Sequence, residues 1–182
     1  VARVASLARL EGVALPRKGP AVPKPVLTRE QARLVAARRA VASLGYDECV
    51  TYAFLDDQAA SLFGGGGERG RIENPIAADL SHLRRSLLPG LLRAAARNQA
   101  RGFQDLALFE ASEVFHGAEP GEQRLEVAGL LVGRAAAKGV HGPARAWDAF
   151  DAKGDLEALL AALGAPARTT LRRTGSAWWH PG

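Results

Sequence analysis

Apolar residues recur at helical spacing from Thr28 to Gly45, with Leu34, Ala37, Val41 and Leu44 on one stripe. Thr28 is placed to cap the first turn, and Gln31 stands at the third position of a capping box. Gly45, free to adopt the left-handed conformation, ends the helix. The pattern then switches to period two over 47–55, where Cys49, Thr51 and Ala53 alternate with Val50, Tyr52 and Phe54. This predicts one strand, followed by a short helix in DDQAASLF and a short strand in RIENP (71–75). Pro89 suits the first turn of a helix that runs to Gly102, with Leu91, Leu92, Ala95 and Ala96 as its apolar side. Residues 105–115 and 124–133 read as two strands joined by a hairpin loop. The second is almost wholly apolar after Glu126, so a central, buried place is expected for it.

Residues 135–146 lack periodicity and read as a loop. The segment 147–164 becomes a helix with Leu156, Leu159, Leu160 and Leu163 inward, and ARTTLRRTG reads as a further strand. Helices cluster between hairpin-like strands instead of alternating with them, which predicts an α+β fold with an antiparallel sheet. At the start of the chain, residues 1–11 form an amphipathic helical pattern. The four prolines and two glycines of 12–27 mark a linker. The expected layout is the end of a preceding domain at 1–12, a Pro-rich linker at 13–27 and a core domain over 28–182.

Composition narrows the function classes. The lone Cys49 excludes a disulfide framework or a cysteine zinc motif, and favours a reducing compartment such as the cytoplasm. No apolar run is long enough to span a bilayer, and the chain opens without a signal-peptide pattern. The net charge of +5 admits an anionic partner. Yet no basic block alternates with aromatics as a base-stacking surface would. Arg33, Arg38, Arg39, Arg97 and Arg101 are the candidate RNA contacts, against the alternative of a solvated helix face. Gly64–Gly67 lacks the Lys and Ser/Thr of a phosphate loop and reads as a surface loop. His82, His116, His141 and His180 are scattered. Asp148, Asp151, Asp155 and Glu157 could be taken for a metal cluster, but negative charge at a helix start is better explained by capping and the helix dipole. No catalytic, cofactor-binding or metal-ligating residue is assigned.

The order of longer motifs is more informative. An Asn-Pro-Ile segment at 74–76 leads into Arg84, Ser86, Leu87, Leu88, Pro89, Gly90, Leu91 and Leu92. There follow Leu108, Phe109, Glu110, Val114 and Phe115, then Phe150, Asp151, Lys153, Gly154 and Asp155, and finally HPG. This series resembles the bacterial phenylalanyl-tRNA synthetase β subunit over essentially the whole chain. Ser112 stands where that family usually has glycine, and Ala152 where it has leucine.

The resemblance implies a class II aminoacyl-tRNA synthetase-like antiparallel sheet flanked by helices, in a core domain that has lost its chemistry and ends short of its C-terminal part. Catalytic class II domains carry an Arg two residues before a Glu on a strand, where the guanidinium grips a phosphate. Taking Glu110 as that Glu puts Leu108 at the arginine position. The implied role is support of ATP-dependent tRNA(Phe) charging by assembly with a catalytic α subunit in an α₂β₂ heterotetramer. ATP and magnesium are used by the full enzyme, and this portion alone is inactive. Leu87, Leu88, Leu91 and Leu92 are the candidate subunit-interface residues. The competing readings are an RNA-binding module and an amino-acid- or ATP-binding paralogue.

Overall fold

The computed structural model describes residues 26–165, apart from 118 and 141, together with Gly175. The expected helix at 1–11, the linker up to residue 25 and the expected strand ARTTLRRTG, apart from its final Gly175, therefore lie outside the described residues.

Helix α1 spans Arg29–Ser43. Its capping box is complete: the Gln31 amide donates to Thr28 Oγ1 at 3.2 Å, and the Thr28 amide donates to Gln31 Oε1 at 2.9 Å. Gly45 leaves the helix with φ at 93°. Strand β1 (Asp47–Glu48) follows, then β2 (Phe54–Leu55), α2 (Asp57–Leu62) and β3 (His82–Leu83). Helix α3 is Leu88–Gln99, with Pro89 in its first turn. The long strands β4 (Leu106–Phe115) and β5 (Gln123–Val132) form a hairpin. A small pair, β6 (Arg134–Ala136) and β7 (Arg145–Ala146), precedes α4 (Ala149–Ala162).

The main sheet has the order β1-β4-β5. Strands β4 and β5 pair antiparallel along their full length, from Leu106↔Val132 to Phe115↔Gln123. Strand β1 joins parallel, through Asp47↔Leu108 and Glu48↔Phe109. Alternation along β4 divides the core in two. Phe109 and Ala111 pack with Val41 and Tyr46 on the side covered by α1, and Leu159 of α4 abuts this cluster. Leu108 packs with Leu91, Ala94 and Ala95 of α3 on the opposite face. Both faces of β4 and β5 are thus in contact with helices, which is why the hydrophobic run in β5 is nearly continuous. Phe109 is fully buried, which stabilises the fold by about 1.5–3 kcal/mol relative to an exposed side chain.

Several elements differ from the sequence reading. The predicted strand 47–55 is interrupted between Cys49, whose amide still donates to the Phe109 carbonyl at 2.7 Å, and Ala53, whose carbonyl accepts from the Arg84 amide at 2.9 Å. There the Thr51 amide and hydroxyl donate to the Glu110 carboxylate at 3.4 and 2.7 Å, so a side chain replaces a neighbouring strand. RIENP contributes only an isolated bridge, Arg71↔His82. Strand β5 is not central. It is an edge of the described sheet and none of its residues is fully buried, whereas β4 holds the middle. The supposed loop at 135–146 contains the β6–β7 pair. On α3 the buried side is Leu91, Ala94 and Ala95, while Leu92 is exposed. On α4 no residue is fully buried, and Leu156, which lines the cavity between α4 and the sheet, is 44% exposed.

Candidate functional site

A buried polar tie joins three segments on the α3 side of β4. Arg84 Nη1 lies 2.8 Å from Glu110 Oε1, with both side chains almost wholly out of solvent. The same nitrogen donates to Thr51 Oγ1 at 3.0 Å, and that hydroxyl donates onward to Glu110 Oε2. Arg84 Nε donates to the Glu113 carbonyl at 3.0 Å. Charges removed from water are tolerated only when paired and hydrogen-bonded, and these are. Gly90 belongs to the same arrangement. A Cβ there would collide with the Thr51 side chain, so glycine allows the first turn of α3 to settle over Thr51. The sequence motif around Arg84 and Pro89-Gly90 is therefore a packing device. Cys49 lies beside it, and burial together with Glu110 pushes its thiol up from the ordinary value.

This tie holds an apolar shelf above it. Val50 is 86% and Tyr52 77% exposed, with Leu62 and Leu92 also on the surface. Two adjoining clefts, of about 410 and 280 Å³, share Arg93. Val50, Tyr52 and Arg97 line the first, and Leu62 and Leu92 the second. Arg93 is paired with Asp56, the N-cap of α2. The Ala59 amide, and then Arg93, hold the Asp56 carboxyl below its ordinary value. Exposed apolar side chains grouped around a charged rim suit contact with another protein surface.

The candidate interface leucines separate. Leu87 and Leu91 have no exposed surface and belong to the core, which corrects their assignment to a surface. Leu88 is half-buried and Leu92 exposed, so these two alone remain available. Val50 and Tyr52 were missed because their alternation with Cys49, Thr51 and Ala53 reads as an ordinary strand. The five candidate RNA-contacting arginines also do not converge. Arg33, Arg38 and Arg39 lie on α1 and Arg97 and Arg101 at the end of α3, on opposite sides of the sheet. Arg38 is further occupied by Glu48 at 2.7 Å and by the Ala111 carbonyl at 3.1 Å.

The acidic residues of α4 are accounted for locally. Asp148 is the N-cap, accepting from the Phe150 and Asp151 amides at 2.7 and 3.0 Å. Asp151 completes the capping box and is held below its ordinary value by Arg145, 2.6 Å away. Asp155 does not cap. It accepts a 2.7 Å hydrogen bond from the Tyr46 hydroxyl, whose pKa is raised by burial and by that carboxylate. On β4, Leu108 is packed beneath α3 and Glu110 is consumed by Arg84. That strand, Leu106–Phe115, carries no Lys or Arg. Among the described residues, no helix is long and apolar enough to cross a membrane.

A hairpin covered by a helix on either face, with a short parallel strand beside it, is an arrangement shared with tRNA synthetases. A pyrrolysyl-tRNA synthetase from Desulfitobacterium hafniense superposes with a TM-score of 0.54 at 15% identity, over 76% of this chain and 46% of that one. A histidine–tRNA ligase subunit from Alicyclobacillus acidocaldarius gives 0.54 at 16% identity, over 84% and 43%. The fold is that of the class II tRNA synthetases.

Sequence comparison is more specific. The model for the phenylalanyl-tRNA synthetase β-chain CLM domain matches residues 16–182. The phenylalanine–tRNA ligase β subunit of Ruegeria pomeroyi is 63% identical over the whole chain, and that of Rhodospirillum rubrum 43%. The chain belongs to the phenylalanyl-tRNA synthetase β-chain family. It spans 23% of the length of these relatives.

Proposed function

We propose that this chain is a non-catalytic scaffold domain of a phenylalanine–tRNA ligase, docking a catalytic α subunit. The observation that carries the reading is the exposed apolar shelf of Val50, Tyr52, Leu62 and Leu92. Burying such side chains against a partner would contribute about 25 cal/mol for each Å² of apolar surface removed from water. The rigid tie beneath them would limit the ordering cost of binding. On this reading, ATP, magnesium and tRNA(Phe) are bound by the assembled cytoplasmic enzyme. The core domain begins at residue 28, after the Pro-rich linker.

The test is co-purification of the full β subunit with its α subunit, using Tyr52→Glu and Leu92→Glu variants. The expected result is loss of the complex, with unfolding midpoints of the isolated β subunits unchanged. Wild-type recovery of the complex by the doubly substituted subunit would overturn the reading.

A further inference from the structure

Helix α3 carries a row of arginines where it borders the shelf. Arg93 and Arg97 stand four residues apart, and Arg101 four further on, just past the end of the helix. That spacing sets side chains on one face. Arg93 and Arg97 both line the cleft of about 410 Å³, together with Val50, Tyr52 and Leu80.

The row is unevenly matched. Asp56 takes Arg93. Arg97 and Arg101 are exposed, and neither guanidinium has an ion pair or hydrogen bond among the described residues. Glu110, bound to Thr51 in the cleft wall, is taken by Arg84, and Asp105 by Arg134. Outside the described residues the chain has one acidic side chain, Glu11, so at most one further such carboxylate is available to the two arginines. Unmatched cations bordering an apolar surface select a partner with carboxylates at its edge. A phosphate chain is the poorer fit, because Val50, Leu62 and Leu92 gain from an apolar counterpart and offer a polyanion no donor.

We propose that Arg97 and Arg101 form a cationic rim of the shelf, and that the docking surface of the catalytic α subunit places Asp or Glu side chains opposite them. Those carboxylates surround an apolar centre that meets Val50, Tyr52 and Leu92. The proposal rests on the scaffold reading and adds to it the chemistry of the partner's edge. Arginine suits the place, because its planar fork grips a carboxylate through two parallel hydrogen bonds. Rim charge acts chiefly on the rate of encounter and on the choice of partner.

The experiment measures association of the full β subunit with the α subunit at low and high salt. Arg97→Glu should weaken it by roughly tenfold at low salt, and the gap should narrow as salt screens the rim. Arg124→Glu, the same change of charge at an exposed position of β5, should bind as wild type. A water-soluble carbodiimide joins an amine to a carboxylate with loss of water. It should link the amine introduced by Arg97→Lys to an Asp or Glu of the α subunit, located by mass spectrometry; no adduct at that position overturns the proposal. Tyr52→Glu separates the two readings. If it abolishes the complex while Arg97→Glu binds as wild type, the rim is overturned and the scaffold reading stands. If both variants bind as wild type, both fall. Equal weakening by Arg97→Glu and Arg124→Glu also overturns the proposal, since net charge alone would then explain it. So does an Arg97→Glu effect confined to tRNA affinity or to self-association of the β subunit, which would assign the rim to phosphates or to a second copy.

Discussion

The two helices that cover the β4–β5 hairpin meet it in different ways. Helix α3 presses Leu91, Ala94 and Ala95 into the sheet, and the chain leading into it supplies the buried Arg84 to Glu110. Helix α4 buries no residue fully, leaves a cavity along its inner side, and is anchored through the Tyr46–Asp155 hydrogen bond and its own cap. The difference teaches where rigidity and room are placed. The α3 side is filled and holds a surface outward; the α4 side is underfilled and holds a space inward. Filled interiors resist substitution, and underfilled ones yield to it.

The largest test of this contrast is Arg84→Ala, which strands the Glu110 carboxylate in the core. A destabilisation of about 3–5 kcal/mol is expected in denaturant titration. Adding Glu110→Leu should recover much of it, because the orphaned charge is then gone. If the single variant unfolds at the wild-type midpoint, the tie does not organise the α3 side.

Truncation of a leucine on each side sharpens the comparison. Leu91→Ala should cost about 2–5 kcal/mol. Leu159→Ala, on half-exposed α4, should cost under about 1.5 kcal/mol. Equal losses would mean that the two sides are equally packed.

The smallest effect is a pH dependence at the shelf. The Ala59 amide and Arg93 depress the Asp56 carboxyl in the folded state. Its contribution is therefore fully present above the ordinary carboxylate value and is lost as pH falls through the depressed one. Asp56→Asn should flatten the acid limb of the stability profile measured by thermal unfolding. An unchanged acid limb would remove Asp56 from the shelf's support.

Much of the fold was legible locally. The Thr28–Gln31 capping box, the glycine after α1, Pro89 at the start of α3 and the two long strands each follow from residues within one turn or one hairpin. The failures share a physical cause. Period two in 49–53 was real, yet the partner of Thr51 is a carboxylate far along the chain, so the strand breaks there. The apolar run in β5 suggested a central strand, but the same run arises at an edge that helices contact on both faces. Leu87, Leu88, Leu91 and Leu92 look alike as letters, and only packing against β4 sorts core from surface. The candidate arginines are separated for the same reason, because α1 and α3 lie on opposite sides of the sheet.

The sequence by itself determined the main helices, the β4–β5 hairpin, the Thr28–Gln31 cap and the family, since these depend on short-range spacing and on the order of motifs. The tertiary structure decided the Arg84–Glu110 pairing, the exposure of Val50 and Tyr52, and the cavity under α4. Each of these depends on which distant segments meet and how completely they fill the space between them, and periodicity along a chain carries no measure of that.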